Sequence, residues 1–200
     1  FAMQVKGVEA GLHEPRLKPS LGLGYMVDPH GADHVLNMHD TAVSNEMAMK
    51  PMRPLGLLEV LPTDEMSPRK VALFKVEQLK AVISDCLLLC FIVGVVSDNK
   101  MLADITAAVT GWDTGIMEQM RVAERVLTMA RSFNVRQGLT AADDKLPRRY
   151  FQPKTDGALS EKGLDPEKME KAKQYYYTLM GWDAETGIPL PEKLEELGIT

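Results

Sequence analysis

The sequence predicts an all-α fold: a multi-helix, bundle-like domain behind an irregular first third. Three observations carry this expectation. Capping residues are followed by proline at the first helical position at Ser67-Pro68 and Asp165-Pro166, an apolar period close to that of an α-helix runs through several turns after residue 114, and no segment keeps the two-residue alternation of a strand.

Taken in order, residues 1–65 are rich in Gly, Pro and His, from Gly11-Leu12-His13-Glu14-Pro15-Arg16 to Met52-Arg53-Pro54, and read as loop-dominated. Ser67-Pro68 then opens a helix over 68–84, with Ala72, Val76, Leu79 and Ile83 on one face. The apolar run Cys86 to Val96 reads as a second helix, and Asp98 caps a third over 99–109. Ile116, Met120, Ala123, Leu127 and Ala130 recur at helical spacing among Glu118, Arg121, Glu124 and Arg125, which places a long helix over 114–133. Asp165-Pro166 starts a helix over 166–180, and Pro191 a short one over 191–197. Gly-Trp-Asp occurs at 111–113 and 181–183 in unlike surroundings, so it is read as two turns or helix entries with packed indoles, not as an internal repeat.

Composition narrows the class. Two hundred residues, 45% hydrophobic and 26% charged, suit one soluble globular domain. A net charge of -5 argues against nucleic acid as a partner, because such binders concentrate Lys and Arg. The run from Cys86 to Val96 falls short of the ~20 residues that cross a bilayer, so it is read as buried core, with no membrane partner expected. Cys86 and Cys90, four apart in an apolar run, read as reduced thiols and hence as cytoplasmic. The chain begins Phe1-Ala2-Met3-Gln4, without an initiator methionine or signal-peptide pattern, and is read as a piece of something longer.

Two constellations could carry chemistry. His30, His34 and His39 lie within ten residues among Asp28, Asp33 and Asp40, and both side-chain types bind metals. The spacing alone fits better a polar loop whose histidines bond to backbone, since no zinc signature is present. The second is Ser84-Asp85-Cys86-Leu87-Leu88-Leu89-Cys90-Phe91, where a carboxylate inside an apolar stretch needs hydrogen-bond donors from a cap, an amide or a cofactor. From the residues alone, Asp85 as a helix cap and the cysteines as small core residues is the simpler reading.

Both constellations match one family pattern in order. Val5-Lys6-Gly7-Val8-Glu9, Glu14-Pro15-Arg16, Gly22-Leu23-Gly24-Tyr25 and Gly31-Ala32-Asp33-His34 resemble the start of the last domain of the tungsten-containing aldehyde:ferredoxin oxidoreductases. Asp85-x-x-Leu88-Leu89-Cys90 resembles the second of that family's Asp-x-x-Gly-Leu-Cys pterin motifs. Thr110-Gly111-Trp112-Asp113, Arg131 to Gly138, Asp143-Asp144-Lys145-Leu146-Pro147 and Gly181-Trp182-Asp183 through Gly198 extend the likeness over nearly the whole chain.

The resemblance implies a C-terminal helical domain of a larger enzyme, 1–65 facing the cofactor and 66–200 helical. It implies oxidation of small aldehydes to carboxylic acids at tungsten, or molybdenum, held by two pterins, with electrons leaving through a 4Fe-4S cluster to ferredoxin. His34 then takes the place of the histidine beside the metal and handles protons, Asp85 hydrogen-bonds a pterin, Leu89 lies against it, and Cys90 is a cluster ligand. Leu88 stands where the motif has glycine, and Cys86 is assigned to core. A cluster of this type takes four thiolates, so two cysteines leave the chain dependent on the N-terminal domains of the same enzyme and inactive alone. A homodimer of the full-length protein is among the assemblies the resemblance allows. The competing readings are a non-catalytic helical assembly domain or degenerate homologue, and a metal-binding module built on His30, His34, His39 and nearby aspartates.

Overall fold

The computed structural model describes residues 2–90, 92–93 and 97–199. Among these the architecture is helical. Its α-helices are α1 (Pro19–Val27), α2 (Glu46–Met49), α3 (Pro68–Cys86), α4 (Asn99–Thr110), α5 (Ile116–Arg136), α6 (Pro166–Leu179) and α7 (Pro191–Leu197). The extended structure with named strands is one two-residue hairpin, β1 (Gln4–Val5) against β2 (Val8–Glu9), in antiparallel register with Gln4 opposite Glu9.

The caps form as their chemistry requires. Ser67 accepts from the Lys70 amide, Asp98 from Met101 at 2.7 Å, and Asp165 from Glu167 and Lys168 at 2.9 and 3.1 Å. The expected segment 86–96 differs: Cys86 completes α3, Leu87 and Leu88 turn away from it, and residues 91 and 94–96 lie outside the described residues. Most of the described part of that run is open to solvent: Cys86 and Cys90 are exposed and Leu88, Ile92 and Val93 are 93%, 69% and 44% exposed, while Leu87 and Leu89 are half-buried against the core. The two Gly-Trp-Asp copies likewise part company. Gly111 and Gly181 both adopt left-handed backbone after a helix, but Trp182 is buried while Trp112 stands open to solvent.

The first third contains α1, which periodicity does not reveal. All nine of its residues are buried, and a helix that is apolar on every side has no stripe to detect. It packs against α3 and α6, and α3 in turn packs against α5 and α6, so α3 is the spine of the domain.

Several family-like segments meet in one buried knot of charge. Lys6, at the hairpin turn with φ of +50°, sends its ammonium to Asp144 Oδ1 at 2.6 Å and to the Asp28 carbonyl at 2.8 Å. Arg131 of α5 reaches Asp144 Oδ2 at 2.7 Å and the Gly187 carbonyl at 2.8 Å, and Tyr177 of α6 donates its hydroxyl to the same carboxylate. The guanidinium also lies over the rings of Tyr177 and Trp182, 5.3 and 5.6 Å from their centroids. The hairpin is held close from the other side as well, since a β-carbon at Gly31 would collide with the Val5 carbonyl.

Candidate functional site

A cavity of about 930 Å³ opens between α3 and the loop that leads from α1 into α2. Glu77, Lys80, Ala81, Ser84 and Asp85 form its α3 wall, and their i, i+3, i+4, i+7, i+8 spacing is one face of the helix. His13, His34 and His39 line it from the loop side, and Met38, Val43 and Met52 add apolar surface.

The loop wall is tied to the spine by buried polar groups. Asp28 accepts from the His30 amide at 2.8 Å and from the Asn37 side chain at 2.9 Å; Gln78 of α3 donates to Asn37 Oδ1 at 2.9 Å, and Tyr176 donates to Gln78 at 2.5 Å. Burial pushes the Asp28 carboxyl up to about 6 despite those donors. A β-carbon at Gly24 would strike Asn37, so α1 needs glycine there for the loop to close. Further along, Asp40 accepts from the Ser20 amide at 3.0 Å and faces the buried ammonium of Lys70 at 3.4 Å.

Three imidazoles gather at this wall. The His13 ring is 4.8 Å from that of His34 and 4.4 Å from that of His39, centroid to centroid. Lys18 lies 3.0 Å from His39 Nδ1, and a charged ammonium only donates, so that nitrogen accepts. Nε2 of His39 then carries the hydrogen and donates to the His34 carbonyl at 2.7 Å, which fixes the backbone under His34. Burial lowers the pKa of His13 and His39, and the neighbouring cationic and imidazole groups act on both in the same direction. Gly11 presses on the His34 ring, where a β-carbon would come within 2.9 Å of Nδ1. His13 and Gly11 escaped the sequence reading because they lie some twenty residues from His34; their only signal was the Gly, Pro and His content of the first third.

Asp85 was expected to be buried and paired, or to cap a helix start. It is instead exposed, in the last turn of α3, where the helix dipole disfavours a carboxylate. Its pKa is raised by burial and by Asp33, with His30 opposing. α3 ends in a Schellman turn: the Leu89 amide bonds to the Ser84 carbonyl at 2.9 Å, the Leu88 amide to that of Asp85 at 3.0 Å, and Leu88 has φ of +56°. The motif's glycine position is therefore a left-handed backbone position, and this chain holds it with a leucine whose side chain touches almost nothing. Leu88→Gly is expected to stabilise the chain by about 0.5–1 kcal/mol, the relief of a left-handed penalty of roughly 1–2 less a glycine entropy cost of roughly 0.5–1. Denaturant unfolding measures it, and a destabilised variant would contradict this account of the turn.

Of the residues proposed from sequence, His34 and Asp85 line the same cavity. Leu89 is half-buried against the core, and Cys90 is exposed just beyond the turn, outside the cavity lining. Cys86 is exposed rather than core, being the last residue of α3, and burial with the neighbouring Asp85 raises its thiol. His30 stands apart, exposed beside Asp28 at 3.6 Å. Among the described residues no group of three His, Cys, Asp or Glu side chains is placed to hold a metal ion. A metal module of His30, His34, His39 and nearby aspartates is thus not assembled among the described residues.

A family model described as aldehyde ferredoxin oxidoreductase, domains 2 and 3, matches residues 1–199. The chain belongs to the aldehyde ferredoxin oxidoreductase family. It is 30% identical to the tungsten-containing aldehyde ferredoxin oxidoreductase of Thermococcus kodakarensis and 31% identical to that of Pyrococcus furiosus, in each case over 100% of this chain and 31% of the relative. It thus spans about a third of the length of these curated aldehyde ferredoxin oxidoreductases. Among solved structures it is similar to the active-site complex BamBC of benzoyl coenzyme A reductase with 1,5-dienoyl-CoA, at a TM-score of 0.53 and 25% identity, covering 64% of this chain and 19% of that one. Among the described residues no helix is long and apolar enough to cross a membrane.

Proposed function

We propose that this chain is the C-terminal part of a tungsten-dependent enzyme that oxidises aldehydes to carboxylic acids with ferredoxin as electron acceptor, working in the reducing cytoplasm. The observation that carries the reading is the α3 terminus: a carboxylate set against its own helix dipole and a free thiol five residues on flank a turn beside a cavity that His34 also lines. Neither side chain has a hydrogen-bond or salt-bridge partner among the described residues.

These residues suit a pterin and a cluster. The Asp85 oxygens are acceptors without a hydrogen-bond donor among the described residues, as a ring rich in N–H groups requires, and Leu89 offers an apolar edge beside them. Cys90 is accessible from outside the chain, as a cluster ligand shared with another domain must be. When bound beside Asp85 and Leu89, a metal-pterin group with tungsten or molybdenum at its centre would supply the two-electron oxidation of the aldehyde, and a cluster held through Cys90 would supply the route out for those electrons. Within this chain, His34 holds and moves a proton at the cavity wall, kept in place by His39 and Gly11. The exposed apolar residues Leu88, Ile92 and Val93 give the N-terminal domains of the same protein a surface to cover.

In the full-length protein, Cys90→Ala is expected to remove the intact 4Fe-4S cluster, read as iron and sulfide content and visible absorption. A full complement of both in the variant would overturn the ligand role. A wild-type full-length protein without cluster or tungsten would instead favour the non-catalytic assembly domain.

A further inference from the structure

Glu77 faces the same cavity two helical turns before Asp85 and has no part in the roles assigned above. Its Oε1 is buried without a hydrogen-bond partner among the described residues. An ionised carboxyl in that position is costly, and Lys80 one turn on does not offset the cost: burial raises the pKa of Glu77, with Lys80 opposing. Burial therefore shifts the group toward its neutral form, whose O–H needs an acceptor. The other titratable groups lining the cavity are Lys80 and Asp85 on the same helix and His13, His34 and His39 across from it.

We propose that Glu77 is the acid of this site, giving its proton to the aldehyde oxygen while His34 takes one from the water that adds to the carbonyl carbon. The proposal rests on the reading that aldehydes enter this cavity. In the step, a water oxygen bonds to the carbonyl carbon as the C=O π bond opens; the water's proton passes to the imidazole, and the carboxyl proton passes to the former carbonyl oxygen. The product is the geminal diol. Return of the proton from His34 to Glu77 through water restores both groups, so the step is a hydration and consumes no oxidant.

The test uses the full-length enzyme and its Glu77→Gln and Glu77→Asp variants. The neutral acid is present below its raised pKa and lost as pH rises through it, so wild-type kcat/KM for benzaldehyde is expected to fall along an alkaline limb. Glu77→Gln should lack that limb and lose roughly tenfold in rate, since an amide still donates a hydrogen bond but no proton; Glu77→Asp should keep the limb. Formaldehyde, already hydrated in water, should lose less. Infrared difference spectra should show a protonated carboxyl in the wild type that is missing from Glu77→Gln, a readout that holds even if a variant folds poorly. Unchanged kinetics and pH profile in Glu77→Gln, or no such band in the wild type, would overturn the proposal alone. A wild-type enzyme that oxidises no aldehyde would remove the reading beneath it as well.

Discussion

Asp144→Ala is expected to cost the chain about 3–5 kcal/mol, the range found when one partner of a buried ion pair is removed and its counter-charge is stranded. Here two cations are stranded at once. The side chains of Lys6 and Arg131 are 4% and 2% exposed, and Asp144 lies between them with no exposure at all. Arg131 keeps the Gly187 carbonyl and Lys6 keeps the Asp28 carbonyl, but neither acceptor carries a full charge. Tyr177 loses its acceptor as well. Against a total stability of roughly 5–15 kcal/mol, such a loss leaves little, and the hairpin, α5 and α6 are expected to separate together. Denaturant unfolding of the 200-residue chain decides the matter. A cost below about 1 kcal/mol would mean that water or a rearranged neighbour screens the two cations, against the burial seen here. Asp144→Asn, which keeps the shape and part of the hydrogen bonding, should fall between the extremes.

That knot also shows what kind of information the sequence carried. Segments quoted for the family likeness, Val5 to Glu9, Arg131 to Gly138, Asp143 to Pro147 and Gly181 to Asp183, supply Lys6, Arg131, Asp144 and Trp182. Much of the likeness is thus about holding the fold. The helices α3 to α7 were legible because capping and one-sided burial leave local marks, as at Ser67-Pro68 and Asp165-Pro166. α1 left none, because nine buried residues in a row carry no polar face. Position 86–90 was misread for a related reason: an apolar run states that something covers it, without stating whether the cover belongs to the same chain. Asp85 followed the same error, being sought in the interior when it stands at an exposed helix end.

The histidine wall was legible in part. His34 and His39 were visible as neighbours in sequence, whereas the ring that packs against both, His13, comes from a turn before α1 and is brought over by folding. The local reading that histidines of such a loop bond to backbone holds for His39, whose Nε2 meets the His34 carbonyl. His34 itself has its ring between Gly11 and His13, so the local rule accounts for one imidazole and leaves the other free to act.

In the full-length enzyme, His34→Gln is expected to lower kcat/KM for aldehydes by about 10²–10⁴-fold while leaving metal, pterin and cluster contents intact. At 1.36 kcal/mol per tenfold, that is about 2.7–5.4 kcal/mol of transition-state stabilisation. The size follows from the task. The water that adds to an aldehyde must shed a proton, glutamine can accept a hydrogen bond but cannot carry that proton away, and the groups beside His34 are poor substitutes. His39 is committed at both nitrogens, Nδ1 to Lys18 and Nε2 to the His34 carbonyl, and its pKa is lowered along with that of His13. His39→Gln is the control for a positioning role: it removes the bond under His34 without removing the proton carrier, so a smaller loss with an unaltered pH profile is expected. If His34→Gln retains wild-type turnover, or if it loses the metal along with activity, His34 is not the proton carrier. A loss in His39→Gln as deep as in His34→Gln would shift that role to the imidazole now read as its support.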